Sequence, residues 1–387
     1  MALRQPGWRR LPLRALAVLA TGLVFGRPVR SRSGLIVGPD CPPLGHPAFA
    51  RWLDGMRQLA SGRPLPVTAH VAVTGACPNA CARCSQVVTG CGEPAISDVL
   101  RVIEGLRQAG TASLTFTGGE PLMRGDLEQA IAACGSDMAP QLYTSGYGLD
   151  DRRARSLQQA GLVAAHVSLD HDQRERHDQG RGRRGSACDA AFAITALRRA
   201  GIHTVVRTVV GDELLQPGAM RRFVMHCRDL GAHEIVLLAA VSVRGGAPES
   251  VFSERASRIL RRWHMASWWD ATLPVITAMP YLEGPEGFGC IAGFGFCYVA
   301  VDGGVWPCDL APCALGNIHR DRWDVVLERL RQAFPRPRTA CLGCQLARID
   351  SAMPRPLIED AAVAALAACP ADQPARMARA FMTVRTS

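Results

Sequence analysis

Lysine is absent from this chain: all 44 basic side chains are arginine. That excludes a Schiff-base or pyridoxal phosphate lysine, and also a Walker P-loop, whose grip on phosphate needs one. A long apolar run is missing too. The most apolar stretch, residues 11–26 after Arg9-Arg10, falls short of the roughly 20 residues that span a bilayer. It fits a helix packed on the protein body, a segment lying on an anionic membrane surface, or a signal peptide of the twin-arginine kind, although no small-residue cleavage site stands out. The body of the chain also lacks basic excess. Of the net charge of +10, the arginines Arg4, Arg9, Arg10, Arg14, Arg27, Arg30 and Arg32 all precede the first acid, Asp40. The remainder is nearly balanced, which excludes a nucleic-acid groove along the body.

Cysteine, by contrast, is plentiful at 15 residues. The spacings include CxxxCxxC and CxxC, so metal groups in a reducing cytosol fit better than the disulfides of a secreted chain. With 387 residues, 48% of them hydrophobic, there is room for one large packed domain and one or two small ones. Cys77, Cys81 and Cys84 form the CxxxCxxC run. Three thiolates so spaced can hold a cubane iron-sulfur cluster with one iron left open for chemistry, and the spacing by itself suits zinc equally.

From residue 70, β-branched apolar runs alternate with helical patterns. Strands are expected at His70–Thr74, Ser113–Thr117, Gln141–Thr144, Ala164–Leu169, Thr204–Val210 and Ile235–Val241. The helices between them stop at Gly110, Gly135, Gly161, Gly201 and Gly231, and Ser97 and Asp126 suit N-caps. A sixth helix is expected over Ser253–Trp269. Such repeats mean a doubly wound sheet or an open β/α barrel, and candidate site residues at the C-terminal ends of the strands favour the barrel. From Glu283 the texture turns Gly-rich and Cys-rich, with short strands at Tyr298–Val301 and Gly304–Trp306, and Glu359–Cys369 reads as a last helix.

The order of the motifs adds a family resemblance. After the three cysteines come Gly118-Gly119-Glu120-Pro121, Ser168-Leu169-Asp170, His177-Asp178 and Arg181-Gly182. In that order they resemble the radical S-adenosylmethionine (radical SAM) superfamily over residues 66–350. The resemblance implies a partial (β/α)6 TIM-type barrel, a 4Fe-4S cluster on Cys77, Cys81 and Cys84, and S-adenosylmethionine chelated to the open iron. It puts Gly118, Gly119 and Glu120 at the cofactor amine, Glu120 as acceptor or local support, and Ser168 and Asp170 near the carboxylate and ribose. Arg181 or Arg207 would pair the carboxylate as a planar donor. His166, His171 and His177 are expected in surface or supporting roles, and Cys134, Cys188 and Cys227 as buried small hydrophobes. Cys297 to Cys308, Gly316-Asn317-Ile318 and Cys341-Leu342-Gly343-Cys344 look like a SPASM or shorter twitch module, which binds auxiliary 4Fe-4S clusters. One such cluster is expected on Cys290, Cys308, Cys341 and Cys344, with Cys297 as the alternative to Cys290; a zinc ribbon uses similar spacing.

The expected fold is therefore α/β: residues 1–65 an apolar, basic helical extension, 66–282 the partial barrel, 283–350 a small cysteine-rich α+β auxiliary-cluster module, and 351–387 a helical tail. The expected activity is reductive cleavage of S-adenosylmethionine to a 5'-deoxyadenosyl radical that abstracts a substrate hydrogen, followed by oxidation or cross-linking through the auxiliary cluster. The substrate would be a peptide or small molecule, with a lipid or isoprenoid at the membrane surface as the alternative. A flavodoxin- or ferredoxin-type reductant is the expected partner, and the cytoplasm, with peripheral membrane contact through the N-terminus left open, the expected location. The competing reading is a non-catalytic iron-sulfur or zinc protein for electron transfer or scaffolding; it leaves the Gly-Gly-Glu-Pro run and Ser168 without a purpose. No catalytic acid or base is legible, and Cys297, Cys313 and Tyr298, the candidates to quench a radical, are more simply structural.

Overall fold

The structure, a computed structural model, describes residues 26–86, 92–241, 253–284, 287, 289–338, 341–343 and 357–358. The apolar segment 11–25, Cys91, Cys344, Cys369 and the helix expected over Glu359–Cys369 lie outside those residues. A short hairpin of β1 (Val29–Ser31) and β2 (Gly34–Ile36) precedes helix α1 (Ala48–Ala60). Then the β-branched runs take their expected places as β3 (Thr68–Thr74), β4 (Ser113–Gly118), β5 (Ala139–Thr144), β6 (Ala164–Ser168), β7 (His203–Val210) and β8 (Glu234–Ala239). Between them run α2 (Ile96–Ala109), α3 (Leu127–Ala132), α4 (Asp151–Gln159), α5 (Arg174–Arg181), α6 (Ser186–Arg199) and α7 (Ala219–Asp229). The five stop glycines all take positive φ, from 63° at Gly135 to 107° at Gly161. Ser97 is not an N-cap: α2 starts at Ile96, which puts it in the first turn, and Asp126 holds the cap position without a side-chain cap bond because its carboxylate pairs with Arg124.

All six strands pair in parallel with their sequence neighbours. A doubly wound sheet would reverse its strand order partway, so this is barrel winding. Alternation divides each strand between two environments. Phe116, Leu142, Val167, Val206 and Leu237 join Ile103, Leu157, Leu197 and Phe223 of the helices in the main core, each burial stabilising by about 1.5–3 kcal/mol. The alternate positions Tyr143, Ser168 and Arg207 line a cavity instead.

The sheet does not stop at six strands. After α8 (Glu254–Trp269), β9 (Val275–Ala278) pairs with β8, and α9 (Met279–Leu282) follows. At the other edge β10 (Phe296–Val299) runs parallel to β3 and pairs antiparallel with β11 (Val305–Trp306). Among the described residues no pairing joins β9 to β10, so the barrel stays open. The cysteine-rich region beyond Glu283 thus shares the barrel's own sheet. It is completed by β12 (Cys313–Ala314) and α10 (Trp323–Ala333), and by β13 (Leu357–Ile358), which pairs with β12 where a helical tail was expected.

Candidate active site

β3 ends at Thr74, and the loop beyond it carries the three cysteines, all free thiols, Cys77 exposed and Cys81 and Cys84 half-buried. Two sets of glycines hold this loop. Gly119 N–H donates to Thr74 O and Glu120 N–H to Ala76 O, both at 2.7 Å. Only glycine permits that approach: a Cβ on Gly118, at φ +129°, would lie 2.3 Å from Thr74 O, and one on Gly119 2.1 Å from Ala76 O. From the other side, Ala80 N–H donates to Arg181 O at 3.0 Å and Ala82 N–H to Gly180 O at 3.3 Å, where α5 ends. The Gly-Gly and Arg-Gly motifs therefore shape the cysteine loop as well as facing the space above it.

Glu120 is buried, and its carboxylate is fully engaged. Oε1 accepts from Leu122 N at 3.1 Å and Thr144 Oγ1 at 2.6 Å, and Oε2 from Ser145 N and Oγ, each at 2.6 Å. Burial pushes its pKa up against those four donors. Of the two roles expected for Glu120, local support is the one this geometry favours. Asp170 Oδ1 accepts from Val209 N at 3.0 Å, and Oδ2 pairs with Arg181 Nη2 at 2.7 Å. Arg181 also places Nη1 3.8 Å from Cys81 Sγ. Burial lowers the arginine's pKa, but Asp170 and Cys81 outweigh it, and the net direction is upward. With Arg181 so committed, Arg207 is the open guanidinium: its Nε and Nη1 are buried without a hydrogen-bond partner, 4.3 Å from its Cζ to the Tyr143 ring centroid.

The histidines act as supports. His177 Nδ1 accepts from Asp170 N at 3.1 Å and Nε2 meets Ser186 Oγ at 3.0 Å, while His166 Nε2 meets Gln141 Oε1 at 2.7 Å. His171 does face carboxylates, Asp172 at 3.0 Å and Glu213 at 3.4 Å. Cys134 and Cys227 are buried as expected, whereas Cys188 is exposed, because the inward face of α6 is taken by Ala187, Ala190 and Ile194.

A cavity of about 1040 Å³ opens at the C-terminal ends of the strands. Cys77, Cys81, Cys84, Gly118, Gly119, Ser168 and Asp170 line it, and so do Cys290, Cys308 and Cys341. Burial is the largest cause that raises the pKa values of Cys290 and Cys308, and the neighbouring thiols add to it, Cys341 at Cys290 and both Cys290 and Cys341 at Cys308. Cys297 has no such neighbour; burial alone pushes it up to about 12. It lies inside β10, as Cys313 does in β12, both fully buried and away from the cavity. Tyr298 is buried too, with its hydroxyl on Gln86 Oε1 at 2.7 Å and its ring centroid 4.9 Å from that of Trp306. An all-thiol donor set at both places fits iron-sulfur clusters. Among the described residues no three His, Cys, Asp or Glu side chains gather as a single metal ion would need.

Four polar residues of this cavity were not legible as a site. Tyr143 Oη lies 3.2 Å from His70 Nε2, and His70 Nδ1 faces Asp309 Oδ2 at 3.7 Å. Burial would raise the Asp309 carboxyl, but His70, Cys308 and Arg207 outweigh it and hold it at about 2. Glu283 is pushed up to about 7 by burial, against the pull of Arg207. Each is a lone side chain on β3, β5 or the C-terminal region, and only the fold brings them together; the one sequence signal was the cysteine beside Asp309.

A family profile described as the radical SAM superfamily matches residues 71–216. The AdoMet-dependent heme synthase of Oleidesulfovibrio alaskensis is 24% identical over 317 residues, covering 73% of this chain and 81% of that protein. The sporulation killing factor maturation protein SkfB of Bacillus subtilis is 25% identical, covering 71% of this chain and 70% of that one. The crystal structure of Streptococcus suis SuiB bound to S-adenosylmethionine shares the fold, with a TM-score of 0.55 at 15% identity over 71% of this chain and 69% of that one. Profile and relatives agree with the order of the motifs, and residues 71–216 carry a radical SAM superfamily domain, the enzymes of that superfamily using a 4Fe-4S cluster and S-adenosylmethionine.

Proposed function

We propose that this enzyme removes a hydrogen atom from a peptide or small-molecule substrate held in the 1040 Å³ cavity, and that oxidation or cross-linking follows on the side of Cys290, Cys308 and Cys341, which together with Cys344 would hold an auxiliary 4Fe-4S cluster. The observation that carries this reading is that cysteines from the β3 loop and from the C-terminal region open on one cavity. Bound at Cys77, Cys81 and Cys84, the cluster with S-adenosylmethionine supplies a 5'-deoxyadenosyl radical. The protein's residues prepare the place for it. Gly118 and Gly119 leave room free of side-chain atoms, where the cofactor amine would sit, and Ser168 and Asp170, which line the same cavity, would hold its carboxylate and ribose. Arg181, fixed by Asp170, offsets negative charge at the Cys81 thiolate. Tyr143, His70 and Asp309 form a polar flank that orients the substrate, and Glu283 can hold or release a proton near neutral pH.

Two kinds of relative support the substrate range. SkfB is named for maturing the sporulation killing factor, which favours a peptide, and the heme synthases are named for a small molecule. A flavodoxin- or ferredoxin-type protein is the proposed electron source. Iron and sulfide per chain after anaerobic reconstitution test the reading. About eight irons, falling to about four when Cys77, Cys81 and Cys84 are all alanine, is the expected result. About four falling to none would remove the auxiliary cluster and the oxidation that depends on it, and no 5'-deoxyadenosine from the reduced holoenzyme would refute the catalytic reading altogether.

A further inference from the structure

The outer flank of α8 has no role in the cavity chemistry. Its inward side buries Ala256, Leu260, His264 and Ser267. Its outward side carries one stripe at alternating steps of three and four: Arg255, Arg258, Arg262, Met265 and Trp269, all exposed. Trp269 is the extreme case, 80% exposed. Arg258 pairs with Glu254, whereas Arg255 and Arg262 make no ion pair among the described residues. The nearest acid beyond the helix, Asp270, is turned into its own loop, where it accepts from Thr272 N at 2.9 Å and Thr272 Oγ1 at 2.6 Å. A surface tryptophan at the end of an arginine stripe is an amphipathic pattern with its apolar part at one tip.

A second, independent observation falls at the same tip. Arg27 Nη2 donates to Leu273 O at 2.9 Å, and Gly26 packs close to Val275. The chain thus joins the described structure four residues along from Trp269. The sequence just before it, residues 11–25, has Arg14 as its only charge and follows Arg4, Arg9 and Arg10. Apolar and arginine-rich sequence is tethered next to an exposed apolar and arginine-rich helix end.

We propose that the α8 flank docks on an anionic lipid surface, with Met265 and Trp269 entering the headgroup layer and Arg255, Arg258 and Arg262 meeting lipid phosphates. Tryptophan favours that layer because its ring is apolar while its N–H still finds a partner there. Arginines near an anionic surface add electrostatic attraction that a neutral surface does not give. Lipid fits better than a protein groove, because the apolar contacts are two side chains at a helix tip backed by Arg255 and Arg262, which pair with no acid among the described residues. Ser257, on the same helix, lines the cavity, about 18 Å from Trp269 at 1.5 Å per residue, so docking leaves the cavity mouth near the membrane but not closed by it.

Co-sedimentation of the full chain with vesicles tests this, comparing phosphatidylcholine alone with phosphatidylcholine containing phosphatidylglycerol. Binding is expected only with phosphatidylglycerol, and both Met265→Ser/Trp269→Ser and Arg255→Gln/Arg262→Gln should weaken it by about tenfold. Formation of 5'-deoxyadenosine should be unchanged in both, since none of the four residues reaches the cavity. Three results would overturn the proposal: no phosphatidylglycerol-dependent binding; binding unchanged in both variants, which would leave the N-terminal sequence as the sole contact; or a dimer in solution that Trp269→Ser turns into monomer, which would assign the flank to a second copy of the chain.

Discussion

Replacing Glu120 with glutamine keeps its shape and removes one acceptor oxygen. Four donors meet the native carboxylate: Leu122 N and Thr144 Oγ1 on Oε1, Ser145 N and Oγ on Oε2. Glutamine can turn a single oxygen towards them. If it faces Thr144, the amide nitrogen meets the Ser145 backbone N–H, donor against donor, at a position 2.6 Å away in the native chain. A hydrogen bond to a charged acceptor contributes about 1.5–3 kcal/mol, and an orphaned buried donor costs about 1–3 kcal/mol. Rotation of the Ser145 hydroxyl to accept from the amide recovers one bond. Glutamine also escapes the burial penalty that pushes the Glu120 pKa up. The balance is a loss of about 3 kcal/mol, or about 4 °C in Tm. The effect should not stay local. Glu120 anchors the turn whose backbone clamps Thr74 and Ala76, so the cysteine loop should loosen and iron uptake should fall. Thermal melts of the apo chain and iron content after anaerobic reconstitution read both effects, with Ser145→Ala as the milder control at about 1 kcal/mol. A Glu120→Gln chain that melts with wild type and takes up the same iron would refute the idea that this carboxylate sets the loop.

Gly119→Ala should be at least as damaging, because its Cβ would sit 2.1 Å from Ala76 O; loss of the iron bound by the β3 loop, with the auxiliary iron retained, is the expected pattern in an iron assay. Glu283 makes stability depend on pH. Its folded pKa of about 7 lies above the usual carboxylate value of 4.5, so the folded state binds this proton more tightly, and the associated stability is full below about pH 4.5 and lost as pH rises through about 7. Glu283→Gln should therefore match wild type near pH 5 and exceed it at pH 8 by at most about 3 kcal/mol, and denaturant titrations showing a constant difference across that range would count against it. Cys290→Ala should lower iron by about four per chain while Cys297→Ala leaves it intact, and the reverse would exchange their roles.

The strands and helix ends were legible because each is written locally. A β-branched run of six residues and a glycine at φ near +100° need no distant partner, and the CxxxCxxC motif is contiguous in the sequence. What escaped was written across the chain. β10 joins β3 although more than two hundred residues separate them, and nothing in either run marks the pairing. Tyr143, His70, Asp309 and Arg207 meet only because alternation turns three strands inward and one loop folds over them. Cys290 and Cys297 look equivalent as letters; burial within β10 separates them. Ser97 illustrates the limit of a local signal, since a good capping residue lost its place by two positions to Ala95.

The pairing of β10 with β3 bears on how this protein could be re-engineered. Cys297 lies opposite Ala69 and Val299 opposite Val71, on the strand whose end becomes the cysteine loop. The C-terminal region is thus joined to the strand before the cysteine loop by sheet hydrogen bonds as well as by the chain. The C-terminal region is correspondingly a poor cassette for exchange. Cutting the chain before β10 would bare one whole edge of a parallel sheet and invite aggregation. A working hybrid would have to bring its own edge strand in the same register.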